Sequence, residues 1–199
     1  MDETDKGNGA IGKLPYGIRV VDGSEAIRDV RLLFKECCAS SFGFDVSFQG
    51  LARELAELPG EYASPTGALL LAFCDGHPGG CVAMRPLGTG VCEMKRLYVR
   101  HAYRGKGVAR RLAETVVKIA RESGYKAMRV NALPWMREAI AGYRSLGFEP
   151  IPPYRYNPIA GTHFLELNLT AEQPPVAELR HLFEPQLLVH PPRGPMRAA

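Results

Sequence analysis

The six residues Arg104-Gly105-Lys106-Gly107-Val108-Ala109 combine two positions without side chains and two cations. Such a segment can cradle a phosphate if it lies where a strand hands over to a helix. A helix start presents N–H groups with no intrahelical partner at the positive end of the macrodipole. Glycines let the backbone turn tightly and come close to an anion. The surroundings favour this chemistry. From Lys95 to Arg111 stand seven basic residues, Lys95, Arg96, Arg100, Arg104, Lys106, Arg110 and Arg111, with no acid between them. That field suits a ligand with several phosphates. Two common nucleotide loops fit badly: nothing matches GxxxxGK[ST], and a GxGxxG reading from Gly105 meets Arg110 where the third glycine belongs. Alone, the hexapeptide supports an anion at a helix start, and a solvated basic turn would look the same.

Periodicity and punctuation give the elements that must position this turn. Ile18 to Val21 reads as a first strand. Ser24 caps a helix to about Phe42, with Ile27, Val30, Leu33, Phe34 and Cys37 at helical spacing. A second helix runs from Ser47 to near Leu58, and a Pro- and Gly-rich loop spans 59–67. Strands follow at Ala68–Cys74, Gly80–Arg85 and Cys92–Val99, joined by turns at 75–79 and 86–90 short enough for antiparallel hairpins. A long helix extends from about Gly105 to Ser123, stopped by Gly124. Lys126–Asn131 is the next strand, so the strand–helix–strand unit implies a parallel pair. Pro134 opens a helix ending near Leu146-Gly147. Phe148–Ile151 and Thr162–Leu169 are closing strands, and a short helix is read near Val176–Phe183. The expected fold class is α/β (α+β): a mixed, mostly antiparallel sheet with one parallel strand pair, flanked by helices. Residues 1–16 are read as disordered, 17–170 as the domain and 171–199 as a Pro-rich mobile tail.

The chain has 199 residues, 46% hydrophobic and 23% charged, and a net charge of +4. This is globular composition, with no case for a nucleic-acid partner. With no apolar run of 18 residues and a polar, acidic start, no membrane span or secretory signal is expected, and the reading is cytoplasmic. Five cysteines at irregular spacing suggest neither a disulfide framework nor a metal site.

The segment Glu93-Met94-Lys95-Arg96-Leu97-Tyr98-Val99-Arg100, followed by Tyr103 to Ala109, resembles the signature of the GNAT N-acetyltransferase superfamily. Arg104, Gly107 and Ala109 occupy the family's Q/R-x-x-G-x-G/A loop. Ala139, Tyr143, Gly147 and Phe148 are similar to its A-xxx-Y-xxx-G-F helix and turn. The resemblance covers roughly Ile18 to Leu169, and finer features resemble a group of small acetyltransferases without assigned substrates. It implies acetyl-CoA as co-substrate, with no metal, held between two parallel strands that splay apart. The backbone of Leu97, Tyr98 and Val99 would pair with the pantetheine, and the amides of Arg104, Gly105, Lys106, Gly107, Val108 and Ala109 would hold the pyrophosphate. Met136 stands where the family often has an asparagine, so Asn131 is the residue left to supply an amide contact. Dimers are common in the family, so a homodimer is consistent with the resemblance.

Acetyl transfer requires a neutral amine, a stabilised oxyanion and a proton for the leaving thiolate. By position in the family pattern Glu93 is the candidate base, directly or through water, and Tyr143 the candidate acid. Strict alternation along a strand places Glu93, Lys95, Leu97 and Val99 on one face. The implied reaction is acetyl transfer to a primary amine of a small molecule or peptide. A non-catalytic acyl-CoA sensor or interaction module on the same fold is the alternative. Asp45, Glu61 and Glu166 are the acids that could draw a cationic amine.

Overall fold

The computed structural model describes residues 18–40 and 50–171. The expected end of the first helix at Phe42, the expected start of the second at Ser47, Asp45 and the Val176–Phe183 helix lie outside these residues. Seven strands form one sheet: β1 (Ile18–Asp22), β2 (Ala68–Cys74), β3 (His77–Gly88), β4 (Val91–Val99), β5 (Ala127–Ala132), β6 (Glu149–Pro150) and β7 (His163–Asn168). Their order is β1-β2-β3-β4-β5-β7-β6. Every neighbouring pair is antiparallel except β4–β5. The mixed sheet expected from the sequence is the one observed.

Among the described residues four helices cover the sheet: α1 (Ile27–Ala39), α2 (Leu51–Glu57), α3 (Val108–Glu122) and α4 (Arg137–Ser145). α1 buries Val30, Leu33, Phe34 and Cys38, one stripe at helical spacing, against Leu69, Leu71, Cys81 and Ala83. α3 buries Val108, Leu112, Ala113, Val116, Val117 and Ala120 against the other face, where Val82, Met84, Cys92 and Met128 meet it. Both sheet faces therefore carry a core.

Several boundaries differ from the sequence reading. Asp22, not Ser24, supplies the cap before α1: its Oδ1 accepts from the Ser24 N–H at 2.8 Å, and a 3-10 turn over Gly23–Ala26 precedes the helix. The turn before β3 is only Asp75-Gly76, both left-handed at φ 51° and 82°, so β3 begins at His77. α3 ends as expected, with Gly124 at φ 79° and Tyr125 N–H donating to Ala120 O.

Candidate active site

β4 and β5 pair at only three positions, Val91↔Ala127, Cys92↔Met128 and Glu93↔Arg129. Beyond Glu93 they part, so the β5-facing edge of β4 offers backbone N–H and C=O groups without a strand partner. A bulge accompanies the fork. Cys81 pairs with Tyr98 and Ala83 with Lys95, so β4 spends three residue steps against two of β3, and Arg96 is left-handed at φ 56°. This extra residue overturns strict alternation. Leu97 and Val99 pack with Cys92 and Met94 beneath α3, while Tyr98 packs with the cluster beneath α1. Glu93 and Leu97 consequently lie on opposite faces.

The open edge borders a cavity of about 1020 Å³. Leu97, Tyr98 and Val99 line one wall, and Met136, Ala139 and Tyr143 of the α4 segment line another. Arg104, Gly105, Gly107, Val108 and Ala109 close one end, and Cys37 at the end of α1 contributes to the rim. α3 starts at Val108 rather than Gly105, because Gly105 and Gly107 take φ 71° and 79° and hold the residues before it in a loop. Gly107 is the N-cap, no acid stands in the first turn, and a Cβ on either glycine would meet nothing within 4 Å. These features fit a phosphate-bearing group: a helix start, cations and open space above the backbone.

The basic run is not one field. Arg100 is bound to Glu36 and the Pro78 carbonyl, and Arg96 to Glu54. Arg104 fastens the turn by donating from Nε to the Val99 carbonyl at 3.0 Å. Lys106 lies over the Tyr103 ring, 5.6 Å from its centroid, beside a separate cavity of about 90 Å³. Of the seven cations, Arg104 and Arg110 border the large cavity.

Tyr143 packs its ring against Phe148 at 5.6 Å, and its hydroxyl has no hydrogen bond among the described residues. Burial, with the nearby Cys37 thiol adding to it, raises its pKa well above the ordinary tyrosine value, so the hydroxyl stays protonated.

The opposite face of the fork is a network of side chains. Glu93 is fully buried. Its Oε2 accepts from Arg85 Nε and Nη2 at 3.0 and 2.9 Å. Its Oε1 accepts from Tyr154 Oη and Arg155 Nη1, both at 2.9 Å. Burial alone would raise this carboxyl, but Lys95, Arg155 and Arg85 outweigh it and hold the group below the usual carboxylate value. Four donors fill the four lone-pair positions, so an ammonium has no vacant oxygen to donate to directly. Arg85 also reaches Glu61, at 2.6 Å. Alongside, Glu54 of α2 takes Arg96 through both oxygens and the Tyr62 hydroxyl through one.

Asn131 belongs to this face as well. β5 turns Met128, Val130 and Ala132 toward α3 and α4, which leaves Asn131 on the side of Tyr154. It does not border the large cavity, so the amide contact expected of it is not available there. Glu61 and Glu166, read as attractors for a cationic amine, are paired with Arg85 and Arg129. Arg85 and Arg155 were absent from the sequence-based candidates. The register that sets Arg85 opposite Glu93 was available in the β3–β4 hairpin.

Comparison with known proteins agrees with this geometry. Residues 33–148 match the acetyltransferase (GNAT) family model. The chain is 34% identical over 155 residues to an uncharacterized N-acetyltransferase of Schizosaccharomyces pombe, covering 77% of this chain and 94% of that one. Among solved structures, a GNAT-family acetyltransferase of Staphylococcus aureus superposes with a TM-score of 0.65 at 16% identity, covering 76% of this chain and 99% of that chain. PaiA N-acetyltransferase of Thermoplasma acidophilum, solved in complex with coenzyme A, superposes with a TM-score of 0.60 at 17% identity, covering 76% and 98%.

Proposed function

The chain belongs to the GNAT acetyltransferase family, and from that premise we propose that it transfers an acetyl group from acetyl-CoA to the primary amine of a small molecule or peptide. The supporting observation is the convergence of three features on one cavity: the β4 edge that β5 leaves open, the left-handed glycine turn before α3 and the hydroxyl of Tyr143, which has no partner among the described residues.

In this reading the backbone of Leu97, Tyr98 and Val99 binds the pantetheine amides as an added strand. The amides at the start of α3, with Arg104 and Arg110, hold the pyrophosphate. Met136 contributes an apolar wall. Acetyl-CoA supplies an activated acyl group. The backbone N–H at Leu97 stabilises the oxyanion, and Tyr143 donates its proton to the departing sulfur.

The amine approaches from the other face of the fork, where Glu93 is the base through an intermediary. A proton can reach Glu93 only along one of its hydrogen bonds. Arginine does not release protons, so among the described donors to Glu93 it is Tyr154 that can hand over its proton while taking another from the amine. A binding-only module would have no use for an ionised carboxylate and a protonated tyrosine hydroxyl on the two sides of the fork.

The test is calorimetry with acetyl-CoA, then thiol release across a panel of amines. Binding followed by amine-dependent release is expected, and Tyr154→Phe should lower kcat by about 10²-fold. Binding without release for any amine would favour the sensor. An unchanged kcat in Tyr154→Phe would remove the relay.

A further inference from the structure

On the acceptor face, the described acids near the fork are already bound. Glu54 is taken by Arg96 and Tyr62, Glu61 by Arg85, and Glu93 by Arg85, Arg155 and Tyr154. Against these three carboxylates stand four cations: Arg85, Lys95, Arg96 and Arg155. Lys95 is the exception among them. It sits on β4 between Glu93 and the bulge, half-buried, and its ammonium has no hydrogen bond or ion pair among the described residues. Arg155 engages Glu93 through Nη1 alone, leaving its other N–H groups without a described partner.

We propose that the acceptor amine carries a carboxylate, held by Lys95 with the spare N–H groups of Arg155, so that the substrate is of the amino-acid class. This rests on the acetyl-transfer reading above and names the substrate of that same site. A polyamine would bring a second positive charge to a face whose described acids near the fork are all engaged, whereas an anionic group supplies the direct ion pair that Lys95 does not make among the described residues. Burial and the Arg85 charge lower Lys95 to about 8, outweighing the opposing pull of Glu54 and Glu93, neither of which is in direct contact with its ammonium. The same cations disfavour the ammonium form of an incoming amine and so favour the neutral nucleophile.

The experiment uses the full chain and a panel of free amino acids, each matched with its carboxamide and its decarboxylated amine, plus spermidine and a lysine-containing peptide blocked at its C-terminus. Turnover is read as acetyl-CoA-dependent thiol release. At least one free acid should exceed its own amide in kcat/KM by about 10–100-fold, the span of one charge-assisted hydrogen bond. Lys95→Met should bring that ratio below about threefold, chiefly through KM, and Lys95→Arg should restore part of it. Turnover confined to amides, decarboxylated amines, spermidine or the blocked peptide overturns the proposal. So does turnover absent from every free acid, or an acid-to-amide ratio that Lys95→Met does not alter. Calorimetry with acetyl-CoA on wild type and Lys95→Met separates the two readings: lost binding in wild type defeats the acetyl-transfer reading itself, and intact binding without acid preference defeats only this one.

Discussion

The two faces of the β4–β5 fork are built from different material. Toward α3 and α4 the cavity is bounded by the open edge of β4, the glycine turn before α3, apolar side chains such as Leu97 and Met136, and the ring and hydroxyl of Tyr143. Toward α1 and α2 lies a side-chain lattice in which Glu93, Arg85, Arg155, Tyr154, Arg96 and Glu54 engage one another. The first face suits a large ligand whose backbone-like amides and phosphates ask for N–H groups. The second keeps charges buried and fixed, as selection of a small polar acceptor requires. Damage should therefore appear on the two sides in different quantities, binding on the first and stability on the second.

The largest expected effect is on the lattice. Glu93→Ala leaves Arg85 and Arg155 without their shared carboxylate and should cost about 3–5 kcal/mol, read as a fall in Tm of about 6–20 °C by calorimetry. A loss under 1 kcal/mol would show that water relieves the arginines and that the face is not a fixed lattice. The pH dependence runs the same way. Because the folded pKa of Glu93 is lowered, its contribution is complete above the ordinary value of 4.5 and is lost as pH falls below it. The acid limb of the Glu93→Gln stability curve should be correspondingly flatter.

On the cavity face, Arg104→Glu should weaken acetyl-CoA by about 100-fold in calorimetry while moving Tm by only a few degrees, since it places an acid at a helix start that has none. A large loss of stability with intact affinity would reverse the comparison. Tyr143→Phe should lower kcat by about 10²-fold with little change in coenzyme affinity, and an equal effect on both would make it a wall rather than an acid. The smallest effect concerns Lys95. Its folded pKa of about 8 lies below the ordinary 10.5, so the unfolded chain binds more protons between these values and stability rises with pH across that window. Lys95→Met should raise Tm at neutral pH by about 2–4 °C, and the advantage should shrink from pH 8 to 10.5.

The same contrast explains what the sequence made legible. The turn at Arg104–Ala109 is six contiguous residues, and its glycines, its helix and the Gly124 stop are local signals, so the sheet, the crossover and the cavity end could be read in order. The lattice has no such signature. Glu93 is bound by residues 8, 61 and 62 positions away, and Arg96 by Glu54, 42 positions away. A carboxylate met alone in a strand reads as a free base when one partner comes from the facing strand, legible only through the register, and the others from a late loop. The bulge was hidden for a different reason. One extra residue changes no composition and breaks no apolar run, so Lys95-Arg96-Leu97 looks like ordinary alternation until its pairing with Ala83 and Cys81 is known.

That bulge also changes what β4 can say. Upstream of Arg96 the strand is read in one frame, with odd-numbered Glu93 and Lys95 addressing the side-chain lattice. Downstream it is read in the other, with odd-numbered Leu97 and Val99 addressing the opposite face. Removing one residue there would act like a frameshift within the folded strand, exchanging Tyr98 for its neighbours and scrambling both messages at once. A single strand can present two unlike surfaces in turn because it changes frame between them.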